Sequence, residues 1–372
     1  MRAHFINVPF EAFGLKMFSL KRYWSSALLI FVNLSFFVIP AYAQFWHILP
    51  PVSDSDAISA GFSNDQKKVF FIRRDAGVAN VWSTVIMDKY GGIIAGAKNP
   101  LIQVTKFTDR GIVRFFHLLN RPEILFMRTT ENGKDFHIYR MKDDGSDQPQ
   151  DLTPTGNGVT NIIIGASYDG RYVYYTSNAV HADKVDVYRY DTQQFTSDLI
   201  FPNDKDYEVL SWTRDQNKLL VEDSSALSFM MYDIETTTQT PLAMPDGKNV
   251  ISATLDPTNT TDQKGYKLNM VAMEINKDLP ANELRDSNSW KAKSKQAMFE
   301  IDYSPNCKYT IQRMSGRWAV KDVATNALLS IPEGTRPIAI APKETLLLYL
   351  DGSKLYLYDI SKNASTELAT VR

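Results

Sequence analysis

The chain has 372 residues, 44% of them hydrophobic and 12% aromatic, enough for at least one large core and too apolar for a disordered protein. Its 41 basic and 42 acidic residues are interspersed and leave a net charge of −1, so no long-range field would draw in a nucleic acid or an anionic membrane. The lone cysteine, Cys307, excludes an intramolecular disulfide, so stability must come from burial and pairing.

Residues 1–43 read as a secretory signal, with Met17 a candidate true start. Lys21 and Arg22 precede an apolar run from Ala27 to Ile39, and Pro40 leads into Ala41-Tyr42-Ala43, which places cleavage between Ala43 and Gln44. The run is shorter than the roughly 20 residues needed to span a bilayer and contains Asn33 and Ser35, so removal rather than anchoring is expected. A lipid anchor would need a cysteine where Gln44 stands. Loss of Arg2, Lys16, Lys21 and Arg22 against Glu11 leaves a mildly acidic protein, expected in the periplasm or outside the cell. Residues 44–56 form a lead-in.

Residues 57–372 read as one all-β domain. Short β-branched and aromatic runs alternate with Asp, Asn, Gly and Pro, and no long segment carries apolar residues at helical spacing. The runs recur in one order: strand, Asp-Gly-type turn, strand, loop, aromatic-rich strand ending in Asp, turn, strand. In chain order the copies begin at "GFSNDQKKVFFIRRD", "RFFHLLNRPEILFMRTT", "ASYDGRYVYYTSN", "SWTRDQNKLLVED", "VISATLDPTNTTDQKGYKLNMVAMEI", "IDYSPNCKYTIQRM" and "IAIAPKETLLLYLDG". Aligning the third strands puts Trp82, Tyr139, Tyr188, Met230, Ala319 and Tyr356 in equivalent places. Seven copies of roughly 45 residues, four antiparallel strands each, point to a β-propeller, with six blades open because the fifth copy is irregular.

One four-stranded blade cannot bury both faces alone, so blades must stack around an axis. Along the third copy, alternation sends Val173 and Tyr175 toward one neighbouring blade and Tyr172 and Tyr174 toward the other. Asp169-Gly170 is expected to make a tight two-residue hairpin turn, with Gly170 at positive φ.

Ser167-Tyr168-Asp169-Gly170 followed by Val187-Tyr188-Arg189-Tyr190-Asp191 resembles the WD40-like repeats of the TolB family and of the prolyl-oligopeptidase propellers. Leu355-Tyr356-Leu357-Tyr358-Asp359 and Phe229-Met230-Met231-Tyr232-Asp233 match the second half of that pattern. The resemblance covers most of residues 57–370 and implies a propeller fold. Two departures from TolB stand out: only "QFWHILPPVSDSD" precedes the first copy, where TolB has an α/β domain, and the copies number seven rather than six. The hydrolase domain that oligopeptidase propellers cap is also missing from the pattern.

Few residues propose chemistry. Gly165-Ala166-Ser167-Tyr168-Asp169 is a near miss to a nucleophile elbow, lacking its last glycine and followed by a strand, so Ser167 reads as a turn residue. His47, His117, His137 and His181 show no metal-ligand spacing, and His137 falls in a third strand where a structural histidine is expected. The acidic run at 142–151 lacks the spacing of a cation loop and is expected to be a hairpin turn. Asp191, Asp233, Asp322 and Asp359, which end successive third strands, are expected to cap the turns that follow.

No catalytic residue, metal site or cofactor is therefore assigned. The 276–296 insert in the fifth copy is the most individual segment, and its Trp290 is the candidate partner contact. The expected function is a non-enzymatic binding scaffold in the cell envelope. Its partner would be a protein or glycan at a propeller face, with membrane contact only through that partner and the chain itself a monomer. The alternative is a carbohydrate lyase or hydrolase whose residues are dispersed around the propeller mouth.

Overall fold

The computed structural model describes residues 59–371, apart from short breaks and the longer segments 243–247, 256–267 and 275–297. Every regular element among the described residues is a strand. The first sheet holds β1 (Ala60–Phe62), β2 (Lys68–Asp75), β3 (Val78–Val85) and β4 (Ile102–Gln103). The second holds β5 (Ile112–His117), β6 (Glu123–Thr129), β7 (Phe136–Lys142) and β8 (Gln150–Asp151). The third holds β9 (Asn161–Ala166), β10 (Tyr172–Ser177), β11 (Asp186–Asp191) and β12 (Thr196–Phe201). The fourth holds β13 (Tyr207–Trp212), β14 (Lys218–Asp223), β15 (Ser228–Asp233) and β16 (Gln239–Pro241). Then come a pair, β17 (Lys248–Leu255) and β18 (Leu268–Glu274), and a triplet, β19 (Met298–Tyr303), β20 (Tyr309–Met314) and β21 (Arg317–Asp322). The last sheet holds β22 (Arg336–Ile340), β23 (Leu346–Asp351), β24 (Lys354–Asp359) and β25 (Ala364–Thr370).

Each sheet is built from one continuous stretch of chain and every pairing is antiparallel. Period-2 alternation then makes the ring. On β2, Phe70 and Ile72 pack with Phe115 and Phe126 of the second sheet, while Val69 and Phe71 lie in the cluster that holds Leu346 and Leu348 of the last. On β23, Leu347 and Tyr349 face Ile311 and Val320 of β20 and β21. The first and last sheets thus close on each other through buried side chains, with β1 beside β22 and no strand shared. The chain is a β-propeller.

The third sheet behaves as its sequence dictates. Val173 and Tyr175 pack with Leu125, Met127 and Ile138 of the second sheet, and Tyr174 packs with Trp212, Leu219 and Val221 of the fourth. Trp82, Tyr139, Tyr188, Met230, Ala319 and Tyr356 stand opposite Phe71, Phe126, Tyr175, Val221, Gln312 and Tyr349, the fourth residue of each second strand, so the third-strand alignment is a true structural register.

The turn at Gly170 differs from expectation. Gly170 has φ of 70°, as a left-handed position demands, but the connection spans residues 167–171 rather than two. The Ser167 hydroxyl explains the length: it accepts from the Tyr172 N–H (2.9 Å) and donates to Asp169 (2.6 Å), which in turn accepts from the Arg171 N–H (3.0 Å). The first and fourth sheets repeat this clamp with Ser63 and Asp65, and with Thr213 and Asp215. The left-handed position is filled there by Gln66 and Gln216, and in the sixth and last sheets by Cys307 and Glu344.

Candidate functional site

The residues that propose chemistry in the sequence are occupied by architecture. Ser167 is fully buried in its turn clamp, which leaves no room for a nucleophile. Asp191, Asp233, Asp322 and Asp359 each accept N–H groups of the following turn, those of Gln193 and Gln194, Thr236, Ala324 and Thr325, and Ser361 and Lys362. All four are held below the usual aspartate range. At Asp191 burial alone would raise the carboxyl, and the Gln194 and Gln193 amides with the Arg171 guanidinium outweigh it.

His137 stands two residues before Tyr139, as Asn80 stands before Trp82 and Asp186 before Tyr188. Asn80 and Asp186 tie the third strand to the segment leaving the blade, and His137 ties it to β8. Asn80 accepts from Thr105 Oγ1 (2.9 Å) and the Phe107 N–H (2.9 Å), Asp186 accepts from the Asn203 N–H (2.8 Å), and His137 Nδ1 meets Asp151 Oδ2 at 2.7 Å. His137 is therefore a structural histidine. His117 is buried with Nε2 2.8 Å from Asp143 and its ring 4.9 Å from that of Phe70, in the first-to-second sheet interface. His181 is exposed, and no group of three His, Cys, Asp or Glu among the described residues could hold a metal. The 142–151 run is the β7 to β8 hairpin, in which Asp147 accepts the Lys142 N–H and Asp144 the Ser146 N–H. Ala43, Gln44, His47 and Trp290 lie outside the described residues.

Two other features come into view with the structure. The first is a tongue in the connection from β3 to β4, residues 86–101. It is rooted by Ile86, which is fully buried, and folded back on itself by the Met87–Ile93 bridge. Asp88 Oδ1 accepts the N–H groups of Tyr90 and Gly92 (both 2.8 Å), and Asn99 Nδ2 donates to the carbonyls of Val85 (2.8 Å) and Ile94 (2.9 Å). This hydrogen-bonded support presents Tyr90 at 84% exposure and Ile94 at 48%, with the Lys89 ammonium over the Tyr90 ring. The signal was legible as "DKYGGII", a glycine pair between apolar residues, but the short insertion hides beside the longer one at 276–296.

The second is a pair of carboxyls. Glu208 on β13 and Glu222 on β14 are direct cross-strand partners. Their neighbours Tyr207, Val209, Leu219 and Val221 all pack toward the third sheet, so the pair occupies the opposite face, toward the strand β17 that lies beside β13. Glu208 Oε1 and Glu222 Oε2 are enclosed with no hydrogen-bond partner among the described residues. Burial pushes Glu208 up to about 8, with the Glu222 charge adding to it, and burial with the neighbouring Asp223 pushes Glu222 up to about 7.

No protein-family model and no curated protein matches the sequence. Solved structures of similar fold do exist. TolB from Acinetobacter baumannii is 11% identical at a TM-score of 0.37, with 83% of this chain covering 53% of that one. A putative TolB from Agrobacterium tumefaciens is 11% identical at 0.36, with 83% covering 79%. Dipeptidyl peptidase 4 from Porphyromonas gingivalis is 10% identical at 0.42, with 84% covering 52%. The likeness is one of fold. The chain thus spans about half the length of the Acinetobacter and Porphyromonas proteins, and its own sheet order and ring closure carry the propeller assignment.

Proposed function

We propose that this chain is an exported β-propeller that acts as a non-enzymatic scaffold in the bacterial cell envelope, holding a protein partner on the end of the propeller that bears the tongue. The observation that supports it is Tyr90, a large aromatic held 84% exposed on a hydrogen-bonded hairpin that also carries the exposed Ile94. Rigid aromatics on a pre-ordered support lose little entropy on docking, and exposed apolar groups of this kind anchor protein interfaces. Export rests on the basic, apolar and small-x-small order of residues 21–43.

The test places a photo-crosslinking amino acid at position 90 in cells. A discrete adduct in the envelope fraction that is lost on Ile94→Ser supports the scaffold. The same adducts from a probe at exposed Leu328, or none at all, refute it. N-terminal sequencing of the same material should begin at Gln44.

A glycan-cleaving reading has one observation in its favour, the paired Glu208 and Glu222 carboxyls, both of them raised, since a carboxyl that keeps its proton near neutrality suits general acid work. It requires turnover of a polysaccharide by the purified protein that Glu208→Gln abolishes.

A further inference from the structure

The environment of Glu208 and Glu222 carries an inference independent of either reading of function. Like charges directly opposite on neighbouring strands repel, and enclosed oxygens without donors gain nothing from ionising. Yet the two carboxyls sit where β13 meets β17, the junction at which the fourth sheet must hold the next one in the ring. We propose that Glu208 and Glu222 make this junction a proton-sensitive latch, closed while the pair carries protons and loosened when both carboxyls ionise.

The surroundings favour this over a permanently charged pair. On the same sheet Asp223 follows Glu222 and adds negative charge, Phe229 stands opposite Glu222 on β15, and Tyr207 is the other titratable residue of β13. The strands on the far side, β17 and β18, carry Lys248 and Glu274 as their titratable residues, and these stand opposite each other in register. Repulsion within the pair then has two outlets, protonation or separation of the strands.

The sign follows from linkage. The folded pair keeps its protons to higher pH than the unfolded chain, so the stability it contributes is complete in acid. That contribution is lost as pH rises from the ordinary glutamate range to neutrality and slightly above. The two groups titrate as a unit, so neither single variant should remove half of the effect.

The experiment follows the thermal midpoint and amide hydrogen exchange of the mature chain from about pH 5.5 to 8.5. The wild type should lose roughly 5 °C across that range, with exchange quickening selectively in β13 and β17. The double variant E208Q/E222Q, which mimics the protonated pair, should keep its midpoint and its slow exchange. A wild-type fall that persists in the double variant overturns the latch. So does a double variant that fails to fold at about pH 5.5, where the native pair holds its protons. A third arm, K248M, should leave the pH profile in place, and its loss would mean that Lys248 rather than a proton neutralises the pair. Catalytic assays are not part of this readout, so the latch and the glycan-cleaving reading fail separately.

Discussion

Glu344 offers the sharpest test of how this propeller is held together. In the first, third and fourth sheets the turn after the inner strand is clamped by its own aspartate, Asp65, Asp169 or Asp215. The sixth sheet has Asn306 at that place, and the missing carboxylate is supplied by Glu344 of the last sheet. It accepts from the Ser304 hydroxyl, the Asn306 N–H (2.9 Å) and the Lys308 N–H (3.3 Å) while itself only 6% exposed. Glu344→Ala takes the acceptor from a buried hydroxyl and two part-buried amides, the longer Lys308 contact counting least, so a total loss of about 3 kcal/mol is expected after non-additivity. Alanine meets the same left-handed backbone, φ 58°, and relieves none of that strain. Asn306→Asp alone should also destabilise, by placing a second carboxylate beside Glu344. The pair N306D/E344Q moves the charge back into the sixth sheet and should recover most of the loss, with a favourable coupling above about 1 kcal/mol. Urea unfolding at constant m-value reads the wild type, E344A and the cycle of N306D, E344Q and N306D/E344Q. A Glu344→Ala change below about 0.5 kcal/mol, or no coupling in the double variant, would refute the account.

Three further outcomes follow from the same geometry. Gly170→Ala combines a left-handed backbone with a Cβ 2.8 Å from that of Leu119 in the second sheet and should cost about 2–4 kcal/mol by urea unfolding. Gly77→Ala, at φ 85° with open space around it, should cost only about 1 kcal/mol. His137→Asn should be nearly neutral, because Asn80 fills the equivalent place in the first sheet, whereas His137→Ala leaves Asp151 Oδ2 without its partner while Oδ1 keeps the Thr153 N–H, and should cost about 1–2 kcal/mol in the same assay. Tyr90→Ala should leave the thermal midpoint within about 1 °C, since the exposed ring supports nothing beneath it.

What the sequence reveals and conceals divides along physical lines. Alternation is local, so the two faces of Tyr172-Val173-Tyr174-Tyr175 and the four capping aspartates could be read directly. The clamp between Glu344 and Ser304 joins residues 40 apart in chain and on different sheets, and no spacing rule reaches it. The Glu208 and Glu222 pair is hidden for a subtler reason. Counting outward from Trp212 opposite Leu219, an unbroken ladder would set Glu208 against Asp223 and on the other face from Glu222. The register instead shifts between Val209 and Ser211, leaving Leu210 as an unpaired, fully buried residue, and that single bulge brings the two glutamates together. Inner strands β5, β9, β17, β19 and β22 carry shifts of the same kind. The bulge is thus a repeated feature of the blades that side-chain patterning alone does not disclose.

Carboxyls of two opposite kinds now set how the fold should respond to pH, and they can be separated by substitution. Asp191 and its counterparts are rich in donors and held below the ordinary aspartate value, so their contribution is present at neutrality and is lost as pH falls through their depressed pKa values. Glu208 and Glu222 lack donors on an enclosed oxygen each among the described residues, and their contribution is lost as pH rises toward 7 and 8. Stability should therefore peak in mild acid, near pH 5, with an acid limb owned by the caps and an alkaline limb owned by the pair. Each tenfold difference in proton affinity between the folded and unfolded chain is worth about 1.4 kcal/mol on either limb. Asp191→Asn should flatten the acid limb and leave the alkaline one, and E208Q/E222Q should do the reverse. If one substitution altered both limbs, the two sets of carboxyls would be coupled through the ring, and the separation drawn from their hydrogen bonding would be wrong.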